Sequence, residues 1–288
     1  MNTPEELPLM LGGHSFVQQL GNDPIPDPGT AVEVVAACLD AGIRWFDTTF
    51  RPERIALGAA LAHLGRREEA TIACWSHFRV FGPEDEYEYP IPLEPHHLDI
   101  MTEDLQTDRV DAVVVSPVAT RDCPEGQKEQ EAVAARWKAS GRVRLLGTYR
   151  PGADADQRFD PDNPYDFQVQ PHHVEEDATR VFRACRRLSW MNFACTPFGR
   201  GWTLERIVEQ EGRGGDANFR AHVADLMLRY SLFSPEVDRL IVAMRKPEWV
   251  EPNAESARRG PLSDEERSLL RALQRGARQK AEERTKEN

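Results

Sequence analysis

Apolar residues along this chain fall into short continuous runs, separated by longer stretches in which they recur every third or fourth position. The short runs predict strands near 7–13, 43–47, 70–75, 110–115, 143–148, 165–170, 190–195 and 239–243. The longer stretches predict helices over 30–41, 53–64, 95–106, 125–140, 173–187, 217–232 and 247–258. Strands that are apolar throughout, rather than alternating, are covered on both faces, which is the mark of a parallel sheet with helical crossovers. Eight such units in a chain of 288 residues predict an α/β fold closed as a (β/α)8 TIM barrel. Gly42 and Gly141 support the register, each standing where a helix must stop before the next strand.

Two stretches break the rhythm. The Asp- and Pro-rich segment 150–164 leaves little room for a fifth helix, and 78–92 reads as a long acidic loop carrying Tyr87 and Tyr89. The end of the chain, about 263–285, is a charged helix. With no linker-like composition between units, residues 1–288 read as one barrel domain. In such a barrel function gathers at the C-terminal ends of the strands. The residues to weigh are therefore His14, Asp47, Trp75 to His77, Ser116, Tyr149, Gln170 to His173, Cys195 and Met244 to Lys246.

Composition narrows the partners. A net charge of −12 repels phosphate backbones and anionic lipid, so neither nucleic acid nor membrane is an expected partner. Five cysteines without a C-x-x-C pair, and no basic segment leading into an apolar one at the start, fit reduced thiols in a cytoplasmic protein. A small molecule is the expected partner, and the oligomeric state is left open.

Six stretches occur in the order of one family. They are "CLDAGIRWFDTT" with "ERIALGAAL", then "LQTDRVDAVVVS", "GRVRLLGTY", "ACTPFGRG" and "LIVAMRKPEWVEPN". On them the chain resembles the aldo-keto reductase superfamily from about Leu9 to Leu270. That resemblance implies a barrel enzyme reducing carbonyls with a nicotinamide cofactor through an Asp–Tyr–Lys–His tetrad. In that tetrad the Tyr hydroxyl protonates the oxygen as hydride arrives, which requires an acid tuned towards neutrality.

Carried over position by position, only the Asp survives, as Asp47. The stretch that should hold the Tyr offers Phe50, Arg51 and Pro52, the Lys position is Trp75 and the His position is Ser116. The cofactor half is better kept. The resemblance assigns Gly199, Arg200 and Gly201 to the pyrophosphate loop, Arg245 and Lys246 to the phosphate of NADP(H), and Asn253 to adenine. Against this, the position that stacks on nicotinamide is Cys195, and an expected acid is Pro252.

The mouth has gained imidazoles instead. His77 follows Trp75 by two residues, His172 and His173 close strand six after Gln170, and His14 follows the Gly12–Gly13 turn. Asp47 beside one or more of them would orient a tautomer and raise its pKa, giving an acid–base pair. Tyr149 at the end of strand five is a further candidate donor, and Phe50 and Trp75 would make the pocket aromatic. His14, His77, His172 and Asp47 are metal-ligand types but lack compact ligand spacing, so no metal is expected.

The leading expectation is a relative doing non-redox or atypical acid–base chemistry on a small organic molecule, as a dehydratase, isomerase, lyase or cyclase. Its alternatives are an NADPH-dependent reductase with a substitute donor such as Tyr87, and a non-catalytic regulatory barrel.

Overall fold

The computed structural model describes residues 5–17, 26–77, 79–80, 88–89, 92–117 and 123–287, with side chains as far as Gly276. In chain order the elements run β1 (Leu9–Leu11), α1 (Pro28–Ala41), β2 (Trp45–Thr48), α2 (Arg51–Leu64), β3 (Thr71–Trp75), β4 (Arg79–Val80), β5 (Glu88–Tyr89) and α3 (His97–Asp104). There follow β6 (Val110–Val115), α4 (Pro124–Ala139), β7 (Val143–Tyr149), α5 (Ala155–Arg158), β8 (Phe167–Pro171), α6 (Thr179–Arg187) and β9 (Met191–Cys195). The chain ends with α7 (Trp202–Gln210), α8 (Ala217–Leu232), β10 (Arg239–Val242), α9 (Val250–Arg259) and α10 (Asp264–Glu287).

Eight parallel strands close a barrel in the order β1-β10-β9-β8-β7-β6-β3-β2, so the (β/α)8 expectation holds. Every predicted strand is present, with ends that differ by up to two residues, because ladder hydrogen bonds stop where the chain turns out into a loop. Strand β1, for instance, ends before Gly12 and Gly13, which enter a 3-10 turn over Gly13–Ser15.

Gly42 (φ 91°) and Gly141 (φ 77°) are left-handed, as foreseen, and α2 also ends on a left-handed glycine, Gly65 (φ 64°), a conformation that costs glycine nothing. The fifth helix is indeed a remnant of four residues, α5. Two elements were not foreseen. The segment 78–92 contains a small antiparallel hairpin of β4 and β5, and α7 fills the stretch after the Gly199–Gly201 loop.

Inside the barrel Met10, Trp45, Ala73, Trp75, Ala112, Val114, Phe167, Val169, Phe193 and Ile241 interdigitate. Phe167 stacks on Phe193 at 4.7 Å, and Trp45 meets Phe193 edge-on at 5.4 Å, so the interior is packed rather than a channel. The interior also explains Gly147, where any Cβ would collide with the Phe167 ring. A separate apolar layer joins α7, α8 and α10 through Ile207, Leu226, Leu270 and Leu273. Arg229 clamps that layer with a bidentate pair to Glu266, at 2.7 and 2.9 Å. Among the described residues no helix is long and apolar enough to cross a membrane.

Candidate active site

The strand that carries Asp47 alternates, so Trp45 and Asp47 point into the barrel while Phe46 and Thr48 pack against helices. Asp47 is 5% exposed at the C-terminal mouth. Its Oδ1 accepts a 2.6 Å hydrogen bond from the indole N–H of Trp75 on the neighbouring strand. Burial, with the nearby charge of Glu53, pushes its carboxyl up to about 7, while the Trp75 bond and His14 pull the other way. Trp75 is thus a neutral donor to Asp47. It can hold the carboxylate but cannot supply a positive charge.

The imidazole closest in effect to Asp47 is His14, and its direct partner is Glu53. Glu53 is fully buried at the third position of α2. Its Oε2 accepts from the backbone N–H groups of Thr49 (2.5 Å) and Phe50 (3.1 Å), tying down the free donors of the helix start. Its Oε1 lies 3.0 Å from His14 Nδ1. Burial works against a charged His14 ring, but the hydrogen bond and charge of Glu53, helped by Asp47, carry its pKa above the usual value. The ring is 35% exposed and stacks on Phe50, with centroids 5.6 Å apart. Gly13 is glycine because a Cβ there would overlap Glu53 Oε2 and stand 2.8 Å from the Asp47 carbonyl oxygen.

The turn bearing His14 is held from below. Ser15 Oγ donates to Gly12 O and accepts from Met244 N–H, and Arg245 Nη1 donates to Val17 O at 2.7 Å and His14 O at 3.4 Å. Arg245 is only 8% exposed. Its guanidinium, expected at a cofactor phosphate, lies against main-chain carbonyls and holds the His14 turn.

His77 also reaches the mouth, though not beside Asp47. Its ring lies 5.9 Å from Phe50 and 5.7 Å from Trp75, and Arg54 donates to its carbonyl oxygen at 3.4 Å. Burial, then the charges of Arg54 and His14, push its pKa down to about 4, so it is a neutral imidazole. Tyr149 packs edge-on against Trp75 at 4.9 Å, and its hydroxyl accepts from Arg150 Nε at 3.1 Å. Burial raises the Tyr149 pKa, which makes it a poor acid at neutral pH. Cys195 lines the same wall, and burial pushes its thiol up to about 12. Ser116 is fully buried at the end of β6 and its N–H donates to Ser76 Oγ.

His172 is not brought to this group, and its candidacy as a catalytic imidazole is corrected. Its Nε2 is 2.6 Å from Ser234 Oγ, its Nδ1 accepts from Ala178 N–H, and its ring stacks on Tyr230 of α8. Strand parity is the reason. Phe167 and Val169 fill the interior, so Gln170 and His172 stand on the face turned towards the helices. Gln170 accordingly leaves the pocket.

His173 faces the Gly199 loop instead, with its Nδ1 accepting from Glu175 N–H at 3.3 Å. Gly199, Arg200 and Gly201 follow one another at φ 54°, 61° and 88°. The positive charge of Arg200 reaches His14, and its guanidinium lies 6.0 Å above Trp202. Lys246 Nζ lies 5.3 Å over the half-exposed Trp249, and Asn253 is partly exposed on α9. Tyr87 lies outside the described residues, and Tyr89 is described by its backbone alone. Among the described residues no three His, Cys, Asp or Glu side chains are placed to hold a metal ion.

Glu53 is the residue that reading the chain missed. The available signal was a Glu three positions after the helix N-cap, the capping-box place, where the cap itself is Phe50 and has no oxygen to reciprocate.

No protein-family model and no curated protein matches the chain. Solved structures do. The holo form of an aldo-keto reductase from Bacillus halodurans is similar at 17% identity over 95% of this chain and 96% of its own, with a TM-score of 0.72. A Pseudomonas aeruginosa protein assigned to the aldo-keto reductases is similar at 20% identity over 88% and 89%, with a TM-score of 0.64. The chain has the fold of the aldo-keto reductases.

Proposed function

We propose that this aldo-keto-reductase-like barrel is a relative of that superfamily which performs acid–base chemistry without hydride transfer on a small organic molecule, as a dehydratase, isomerase, lyase or cyclase. The carrying observation is the 3.0 Å contact between His14 and the buried Glu53, beside an Asp47 whose carboxyl titrates near neutrality. An imidazole and a carboxyl that are both raised and face one space form the pattern proton transfer needs. In this reading the exposed edge of His14 meets the substrate and gives or takes the proton. Glu53 sets the ring's orientation and stabilises its charged form. Asp47, protonated below about 7 and ionised above it, is the second group facing the same space.

The test is proton wash-in. Small carbon acids incubated with the protein in D2O should acquire deuterium, read by NMR, without any nicotinamide added. His14→Ala, Glu53→Gln and Asp47→Asn should each suppress it. Turnover unaffected by His14→Ala and Asp47→Asn would sink the reading.

A second reading, an NADPH-dependent reductase with a substitute donor, is favoured by the three consecutive left-handed residues Gly199 to Gly201 and by an Arg200 that meets no carboxylate among the described residues. Arg200, Lys246 and Asn253 would hold the dinucleotide, which would supply a hydride; Arg245 is already committed to main-chain carbonyls. No thermal shift at saturating NADPH excludes it. NADPH oxidation with a carbonyl substrate would favour it over the first.

A further inference from the structure

His77 is the polar group that the chemistry above leaves unused. Both of its ring nitrogens are shut off from solvent, and neither has a hydrogen-bond partner among the described residues. A buried imidazole left in this way costs free energy, so such groups are kept where a ligand or a reaction uses them. The surroundings indicate what kind of ligand. Phe50 and Trp75 flank the ring, Tyr149 continues the wall beyond Trp75, and all three present aromatic surface. Burial above all keeps the His77 ring neutral, aided by the positive charges of Arg54 from α2 and His14 from the first turn. A neutral imidazole carries one donor and one acceptor in either tautomer. A hydroxyl likewise donates and accepts, so it can satisfy whichever nitrogen faces it. Flat aromatic substrates suit such walls by stacking and edge contacts.

We propose that His77 is the specificity-determining residue of this mouth, recognising the neutral hydroxyl of a flat aromatic molecule that lies against Phe50, Trp75 and Tyr149. The proposal rests on the mouth being a substrate pocket, and it names the substrate class for the acid–base reading. His77 reads the hydroxyl while His14 and Asp47 move protons.

The experiment compares phenol, anisole and toluene as probes at millimolar concentration, with binding measured by ligand-observed NMR on the intact chain. Phenol should bind best, anisole less well and toluene least. His77→Phe should weaken phenol about tenfold, the size of one hydrogen bond, and leave toluene within about twofold. His77→Gln, which keeps a donor and an acceptor, should recover part of the loss. In the unmodified protein the His77 ring nitrogen resonances should move with phenol and stay still with toluene, a readout that does not depend on a variant folding. Equal affinity for phenol and toluene, anisole binding as tightly as phenol, or resonances indifferent to phenol would each overturn the proposal. The two readings separate cleanly. Deuterium wash-in in His14→Ala tests the acid–base reading, whereas the His77 variants and ring resonances with phenol test this one. Wash-in indifferent to His14→Ala, with phenol binding still sensitive to His77, would remove the acid–base reading and keep this one.

Discussion

Replacing Asp47 with Asn should make the protein more stable at pH 8 while removing its proposed chemistry. Asp47 is 5% exposed, and its carboxyl is raised from an ordinary 3.8 to about 7. A raised carboxyl means that the fold prefers the protonated form. Stability on its account is fully present below the unfolded value, is lost as pH climbs through the folded one, and stays lost above it. Roughly three units, each worth about 1.4 kcal/mol, set a ceiling of roughly 4 kcal/mol on that loss. Asn keeps an oxygen to accept the 2.6 Å bond from Trp75, and it carries no charge to bury. Its amide N–H groups still need partners, so roughly half the ceiling, about 2 kcal/mol, is the expected gain at pH 8. Urea unfolding at pH 4 and pH 8 measures it. The variant's advantage should be near zero at the lower pH, grow across the interval and level off above 7, with an unchanged m-value. Parallel stability curves for the two proteins would refute the claim that this site strains a buried carboxylate. The trade of stability for a poised acid is a common one at active sites.

Three further outcomes follow from the same geometry. In Glu53→Gln the His14 titration, followed by its ring-proton NMR shift, should move to lower pH, because the group that raises it has lost its charge. Since a raised His stabilises at low pH, this variant should lose about 1–2 kcal/mol at pH 5 and regain most of it as pH rises through the raised His14 pKa, an amount between exposed and buried ion pairs. Trp75→Phe deletes the side-chain hydrogen bond that favours the Asp47 carboxylate, so the Asp47 midpoint should rise beyond about 7, read by carboxyl 13C titration. Gly13→Ala should cost about 2 kcal/mol in chemical denaturation, because its methyl must push aside both Glu53 Oε2 and the Asp47 carbonyl.

The barrel was legible in the chain because strand and helix periods are local, and each βα unit repeats the same alternation. That Phe50, Trp75 and Ser116 can serve as neither phenolic acid, ammonium nor imidazole is likewise a matter of residue type. Which imidazole would serve the surviving Asp47 was not legible. His172 looked as well placed as His14, but one residue of strand parity sends it outward to Ser234 and Tyr230. Arg245 reads in sequence as a phosphate ligand, and only the fold of the β1 turn brings the Val17 and His14 carbonyls onto its Nη1.

Glu53 shows the limit most clearly. In sequence it is an ordinary first-turn acid of α2, and only closure of β1 beside β2 brings His14 onto its second oxygen. Sequence alone determined the fold, since it depends on residue type and short-range spacing. Tertiary structure alone decided which carboxylate meets which imidazole and how far each pKa moves. Those depend on burial and on distances of about 3 Å between residues far apart in the chain.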